Sequence, residues 1–157
     1  MAHIPEIGAP APAFTLPGDA DAPIALADFK GRKLVLYFYP KADTSGCTRE
    51  AMDFNALREA FAAAGTAIVG VSGDPVKALK KFKDKHGLAF PLASDEAKTT
   101  LEDYGVWKEK SMYGRTYMGT ERTTLLIGRD GKVAQVWSKV KVPGHAAAVL
   151  KAAEALA

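Results

Sequence analysis

Apolar residues along the chain follow two rhythms. Lys33 to Tyr39 (KLVLYFY) and Thr66 to Ser72 (TAIVGVS) are short, continuous runs rich in β-branched and aromatic side chains. Such runs predict strands buried on both faces. Between them, Ala51, Phe54, Leu57, Arg58 and Phe61 recur at helical spacing and predict a helix ending near Gly65. Val76, Leu79 and Phe82 form the apolar stripe of a second helix. Ser72 to Pro75 supplies its cap-type residues and a first-turn proline, and Gly87 ends it. Phe90 to Ala93 predicts a short strand, and Asp95 to Tyr104 a short helix. Arg122 to Ile127 and Val133 to Trp137 flank Gly128-Arg129-Asp130-Gly131, a strong hairpin signal. Pro143-Gly144 then opens an Ala-rich helix from His145 to Leu156. The first thirty residues read as loops with a hairpin around Leu16 to Ile24, and Trp107 to Gly119 as a long, basic, Gly-containing loop. Two β-α-β steps followed by a hairpin and a helix predict an α/β fold, a central mixed sheet flanked by helices, in one domain over residues 1–157.

Composition narrows this little. At 157 residues, 48% hydrophobic and 25% charged, the chain can bury a full core without disulfides or metal. The N-terminus lacks a basic segment followed by an apolar one, so no secretory signal is expected. No apolar run reaches about 18 residues, so no membrane span is expected either. The formal charge of +3 gathers at Lys77, Lys80, Lys81, Lys83 and Lys85. Those lysines fall on the polar face of the second helix, read here as a solvated surface. No aromatic residues interleave with them for base stacking, so no nucleic-acid partner is expected.

The chemistry lies in the one cysteine, Cys47. A free cysteine is often a small buried hydrophobe. The neighbours of this one are Thr44, Ser45, Gly46, Thr48 and Arg49, a polar turn between a strand and a helix. In a first helical turn, unpaired N–H groups and the helix dipole favour a thiolate. A lone cysteine also fits a reducing compartment, the cytoplasm, and leaves no internal partner for a disulfide. There is no C-x-x-C for disulfide exchange, and His3, His86 and His145 stand at no metal-ligand spacing.

Pro40-x-x-x-Thr44-x-x-Cys47 after an apolar strand resembles the active-site loop of the peroxiredoxins. The longer stretch YPKADTSGCTREAMDF is similar to the bacterioferritin-comigratory, or peroxiredoxin Q, class. The likeness extends to Ile7 through Phe14 and to Tyr113-Gly114-Arg115 through Ile127, and so over nearly the whole chain. It implies a thioredoxin-like fold and a thiol-dependent peroxidase acting on hydrogen peroxide and organic hydroperoxides with no bound cofactor. It also implies residue roles: Cys47 as nucleophile, Thr44 and Arg122 binding the peroxide, Pro40 shielding the cysteine from water. Without it, Arg122 reads first as a strand-end ion pair, and Thr44 as a helix cap through its hydroxyl. Arg49 and Arg115 are lesser candidates for the same electrostatic duty.

Magnitudes say why an arginine is wanted. Lowering a cysteine pKa from about 8.5 to about 6 raises the thiolate fraction at pH 7 roughly thirtyfold. It also lowers nucleophilicity roughly tenfold. The remaining gain, under about 1 kcal/mol, cannot account for fast chemistry. Polarisation of the O–O bond must supply the rest, from Arg122, Thr44 and the backbone N–H groups of Gly46 and Cys47.

The chain departs from the class twice. Met52 stands where a second cysteine is common, five residues after the first, and Ser45 where proline is common. Cys47 sulfenic acid therefore needs an external thiol: thioredoxin, glutaredoxin or glutathione. The protein is expected to act as a monomer, a Cys47–Cys47 dimer being the competing outcome. A redox sensor that oxidises a partner through Cys47 is the alternative function.

Overall fold

The computed structural model describes residues 3–157. Its framework is a five-stranded mixed sheet in the order β5 (Leu92–Ser94), β4 (Thr66–Ser72), β3 (Lys33–Phe38), β8 (Thr123–Ile127), β9 (Val133–Trp137). The central strand β3 (Lys33–Phe38) pairs in parallel with β4 (Thr66–Ser72), which pairs in parallel with β5 (Leu92–Ser94). On its other side β3 meets β8 (Thr123–Ile127) antiparallel, and β8 forms a hairpin with β9 (Val133–Trp137). Every residue of β3 is buried, as expected for a central strand covered on both faces.

Two helical crossovers make the parallel pairings. The first is interrupted: α1 (Ser45–Ala56) and α2 (Arg58–Ala63) break at Leu57, where the continuous spacing had suggested one helix. The second is α3 (Val76–His86), with Pro75 at its N-cap and Gly87 left-handed at its C-terminus. The short α4 (Thr99–Asp103) precedes β8, and α5 (His145–Ala155) closes the fold. β1 (Thr15–Pro17) and β2 (Pro23–Ala25) form the N-terminal hairpin with Leu16 opposite Ile24.

The sheet separates two cores. On one face Tyr37, Tyr39, Cys47, Phe54, Phe61 and Phe82 pack with α5. On the other, Phe14, Leu36, Phe38, Tyr104 and Val106 pack beneath the N-terminal hairpin. Cys47 thus belongs to one of the two apolar cores.

Two expectations need correction. Trp107 to Gly119 is not a loop: β6 (Trp107–Met112) and β7 (Arg115–Thr120) form a separate antiparallel ribbon. Tyr113 and Gly114 at its tip both have positive φ, 52° and 77°, as a tight two-residue hairpin turn requires. The lysines of α3 are also not simply solvated. Lys80 pairs with Asp21, Lys83 with Asp19 at 2.8 Å and Lys85 with Asp43 at 2.9 Å. Among the described residues, no helix is long and apolar enough to cross a membrane.

Candidate active site

The six residues from 39 to 44 lead from β3 into α1, whose first turn holds Cys47. Ala42 N–H donates to Asp74 Oδ2 at 2.7 Å, tying the loop to the end of β4. Asp43 takes a left-handed conformation, φ 62°, which an aspartate tolerates better than most residues. Thr44 is the N-cap residue by position, and its carbonyl accepts the Thr48 N–H at 2.8 Å. Its hydroxyl caps nothing. It donates instead to the Lys41 carbonyl at 2.7 Å, so the capping role expected for it is not the one found. The Thr44 side chain is exposed, as is Pro40 at the end of the strand.

Cys47 itself is 1% exposed. Arg122, immediately before β8, reaches across from the neighbouring strand. Its Nη2 donates to Cys47 Sγ at 3.3 Å and its Nη1 to Glu50 Oε1 at 2.7 Å. Arg122 does make an ion pair, with Glu50 and not with the adjacent Glu121. Glu121 pairs with Lys108. Gly46 makes room for the guanidinium: a Cβ there would lie 3.2 Å from Nη2.

Glu50 is the residue that pattern reading missed. It lies three positions after Cys47, hence on the same helical face. It is 1% exposed, and its second oxygen, Oε2, has no hydrogen-bond partner among the described residues. Burial pushes its carboxyl up to about 7, against the opposing pull of Arg122. Burial alone would lower Arg122, but the charges of Glu50 and the sulfur beside it raise it above its ordinary value. The guanidinium therefore stays charged at any working pH. Behind it, His145 Nε2 lies 2.8 Å from Thr124 Oγ1, between the rings of Phe54 and Trp137. Burial, aided by Arg122, lowers its pKa to about 4, so the imidazole is neutral.

The other arginines stand apart. Arg49 pairs with Asp53 at 3.0 Å on the surface of α1, and Arg115 lies exposed on β7. Met52 is exposed on α1, away from any second sulfur that might resolve an oxidised Cys47.

A thiol set against a fixed cation, with no second thiol in the chain, is equipped to be oxidised by a small substrate and not to shuffle disulfides. On a thioredoxin-like sheet this is the arrangement of a thiol peroxidase. Residues 7–136 match the family described as AhpC/TSA. The putative peroxiredoxin bcp of Coxiella burnetii is 48% identical, covering 92% of this chain and 96% of its own. Peroxiredoxin Bcp of Bacillus subtilis is 46% identical, covering 93% of each. Among solved structures, the bacterioferritin comigratory protein of Xanthomonas campestris superposes with a TM-score of 0.90 at 44% identity, covering 96% of this chain and 98% of its own. That structure bears on alkyl peroxide reduction by the Xanthomonas protein. The chain belongs to the AhpC/TSA family and is a peroxiredoxin of the Bcp type, a thiol-dependent peroxidase.

Proposed function

We propose that Cys47 is the nucleophile of a one-cysteine cycle that reduces hydrogen peroxide and organic hydroperoxides. The Cys47 thiolate attacks the distal oxygen of ROOH. The O–O bond breaks, an S–O bond forms and RO⁻ leaves, taking a proton to become ROH. Cys47 remains as sulfenic acid. An external thiol R′SH then condenses with it, giving the mixed disulfide and water. A second R′SH releases R′SSR′ and restores the Cys47 thiol.

The contact between Arg122 Nη2 and Cys47 Sγ, 3.3 Å, carries this reading. Negative charge moves from sulfur to the leaving oxygen along the reaction. A planar guanidinium held in place by Glu50 can follow it without reorganising. Thr44 and the Gly46 backbone N–H complete the peroxide site, and Pro40 limits water beside it. Thioredoxin, glutaredoxin or glutathione serves as reductant in the cytoplasm, and the catalytic unit is a monomer. The test is peroxide consumption measured in parallel with thioredoxin, glutaredoxin plus glutathione, and glutathione alone. Turnover with at least one is expected. None with any of the three would end the reading.

A further inference from the structure

Between the cysteine loop and the β6–β7 ribbon lies a cavity of about 300 Å³, at the small end of the range for small-molecule sites. Pro40 and Lys41 line it from the loop, Asp74 from the end of β4, Lys98 from the N-cap of α4, and Trp107 and Lys110 from the ribbon. Thr120 lines it too, two residues before Arg122, so the cavity borders the peroxide site. Three of these side chains are lysines, and among the described residues none of the three pairs with a carboxylate. Lys41 is exposed, Lys110 Nζ donates to the Thr120 carbonyl at 2.5 Å, and Lys98 Nζ donates to the Glu96 carbonyl at 3.0 Å. Two glycines make room for the half-buried pair. A Cβ at Gly73 would lie 2.8 Å from Lys98 Nζ, and one at Gly119 3.2 Å from Lys110 Cδ. Lys98 holds its place from a left-handed backbone, φ 66°, and its ammonium stands 5.6 Å from the centre of the Trp107 ring. Burial lowers the Lys110 ammonium below the ordinary lysine range, and the charges acting on it include those of Arg122 and Cys47. A half-buried cation with no counter-ion is one that a bound anion relieves. The cavity also holds one acid. Asp74 accepts the Ala42 N–H and the Ser72 hydroxyl through Oδ2, at 2.7 Å each, which leaves Oδ1 for a cation.

We propose that this cavity binds the reducing thiol, and that it selects a small thiol with two carboxylates and one ammonium, the charge pattern of glutathione. The inference rests on the one-cysteine cycle proposed above. Lys41, Lys98 and Lys110 answer the two carboxylates, and Asp74 Oδ1 answers the ammonium. Lys98 and Lys110 are already placed by their carbonyl contacts, so little side-chain freedom is lost on binding. Binding gathers the thiol beside the loop that carries Cys47. Its sulfur then bonds to the Cys47 sulfur as the S–O bond of the sulfenic acid breaks, and the departing hydroxide takes the thiol proton to become water. An uncharged thiol of similar reactivity gains nothing from the lysines.

The test sets glutathione against uncharged 2-mercaptoethanol in capture of preformed Cys47 sulfenic acid, with rates expressed per thiolate. The parent is expected to favour glutathione about tenfold, and Lys98→Gln with Lys110→Gln to bring the two rates within about twofold of each other. In the parent, which needs no variant, the preference should also shrink as ionic strength rises from about 0.01 M to about 1 M, where the Debye length falls from about 30 Å to about 3 Å. S-methylglutathione, which cannot react, should bind the reduced parent with chemical-shift changes across residues 107–120, and bind the double variant about tenfold more weakly. A carboxylate-bearing hydroperoxide set against tert-butyl hydroperoxide asks whether the lysines serve the oxidant instead. Equal capture of the two thiols by the parent, or a preference that survives both salt and the double variant, would overturn the site. So would a lysine-dependent preference confined to the carboxylate-bearing hydroperoxide. Absence of sulfenic acid in the parent would overturn the one-cysteine cycle, whereas S-methylglutathione that fails to bind would overturn the site by itself.

Discussion

The helix that carries Cys47 and the loop before it are held from two sides by contacts of opposite kind. Toward β8, Arg122 and Glu50 form a 2.7 Å pair with side chains only 17% and 1% exposed. Toward α3, Lys85 and Asp43 meet at 2.9 Å with 56% and 43% exposed, and His86 Nε2 lies 3.0 Å from the same carboxylate. A buried pair is costly to break by removing one partner, and it holds its geometry because water does not compete. An exposed pair contributes little and is screened by salt. The first grip suits chemistry that must be organised before substrate arrives. The second suits a surface attachment that adds little to the stability of the fold.

Removing the sulfur has the largest effect. Cys47→Ser is expected to abolish peroxide reduction while leaving the circular dichroism spectrum and unfolding cooperativity intact, since a serine hydroxyl offers almost no anion at neutral pH. More than a few per cent residual activity would show that the nucleophile lies elsewhere.

Arg122→Lys comes next. It keeps the charge but loses the fork that contacts sulfur and Glu50 together. Stopped-flow rate constants for hydrogen peroxide should fall about 10²-fold, comparable to losing one oxyanion donor. A near-normal rate would reduce Arg122 to a structural ion pair.

Glu50→Gln should have a smaller effect on rate and a distinct one on stability. Burial raises the Glu50 carboxyl to about 7 in the folded state, from 4.5 without it. For an acid whose pKa rises on folding, stability is full below the lower value and lost as pH climbs through the higher one. Urea unfolding of the parent should therefore lose stability between about pH 4.5 and pH 7 relative to Glu50→Gln, whose amide still accepts from Arg122. Parallel pH profiles would remove Glu50 from this role.

The smallest expected change is in the global stability of Lys85→Ala with His86→Ala. Its melting temperature should stay close to that of the parent, because exposed pairs weigh little in the folded state. A large drop would mean the segment at 85–89 is a structural keystone and not a weak surface attachment.

Much of the frame was readable because it repeats. β3 and β4 are apolar runs, the β8–β9 hairpin is marked by Gly128 and Gly131, and the Cys47 loop has fixed spacing. The β6–β7 ribbon was not, for a physical reason. Only its base, at Trp107 and Thr120, is buried or packs on a core, so the rest of the ribbon shows no clean alternation, and its turn is Tyr-Gly where Asn-Gly or Asp-Gly would have announced it. The break at Leu57 was equally hidden, since apolar spacing runs on through it. Within the site, both Cys47 and Arg122 were singled out from the sequence, and the structure brings them to 3.3 Å. Glu50 left a usable signal, an acid one helical turn from the cysteine. Asp43 left none, because a side chain bonding to a distant helix end has no period.

The central claim is that Cys47 works alone, and intact mass addresses it directly. The protein is treated with one equivalent of hydrogen peroxide and analysed without reductant, with and without dimedone. The account predicts monomer heavier by one oxygen, converted to the dimedone adduct when the trap is present. A Cys47–Cys47 disulfide dimer as the main product at micromolar protein would contradict it, and would make a second copy of the chain the thiol that closes the cycle.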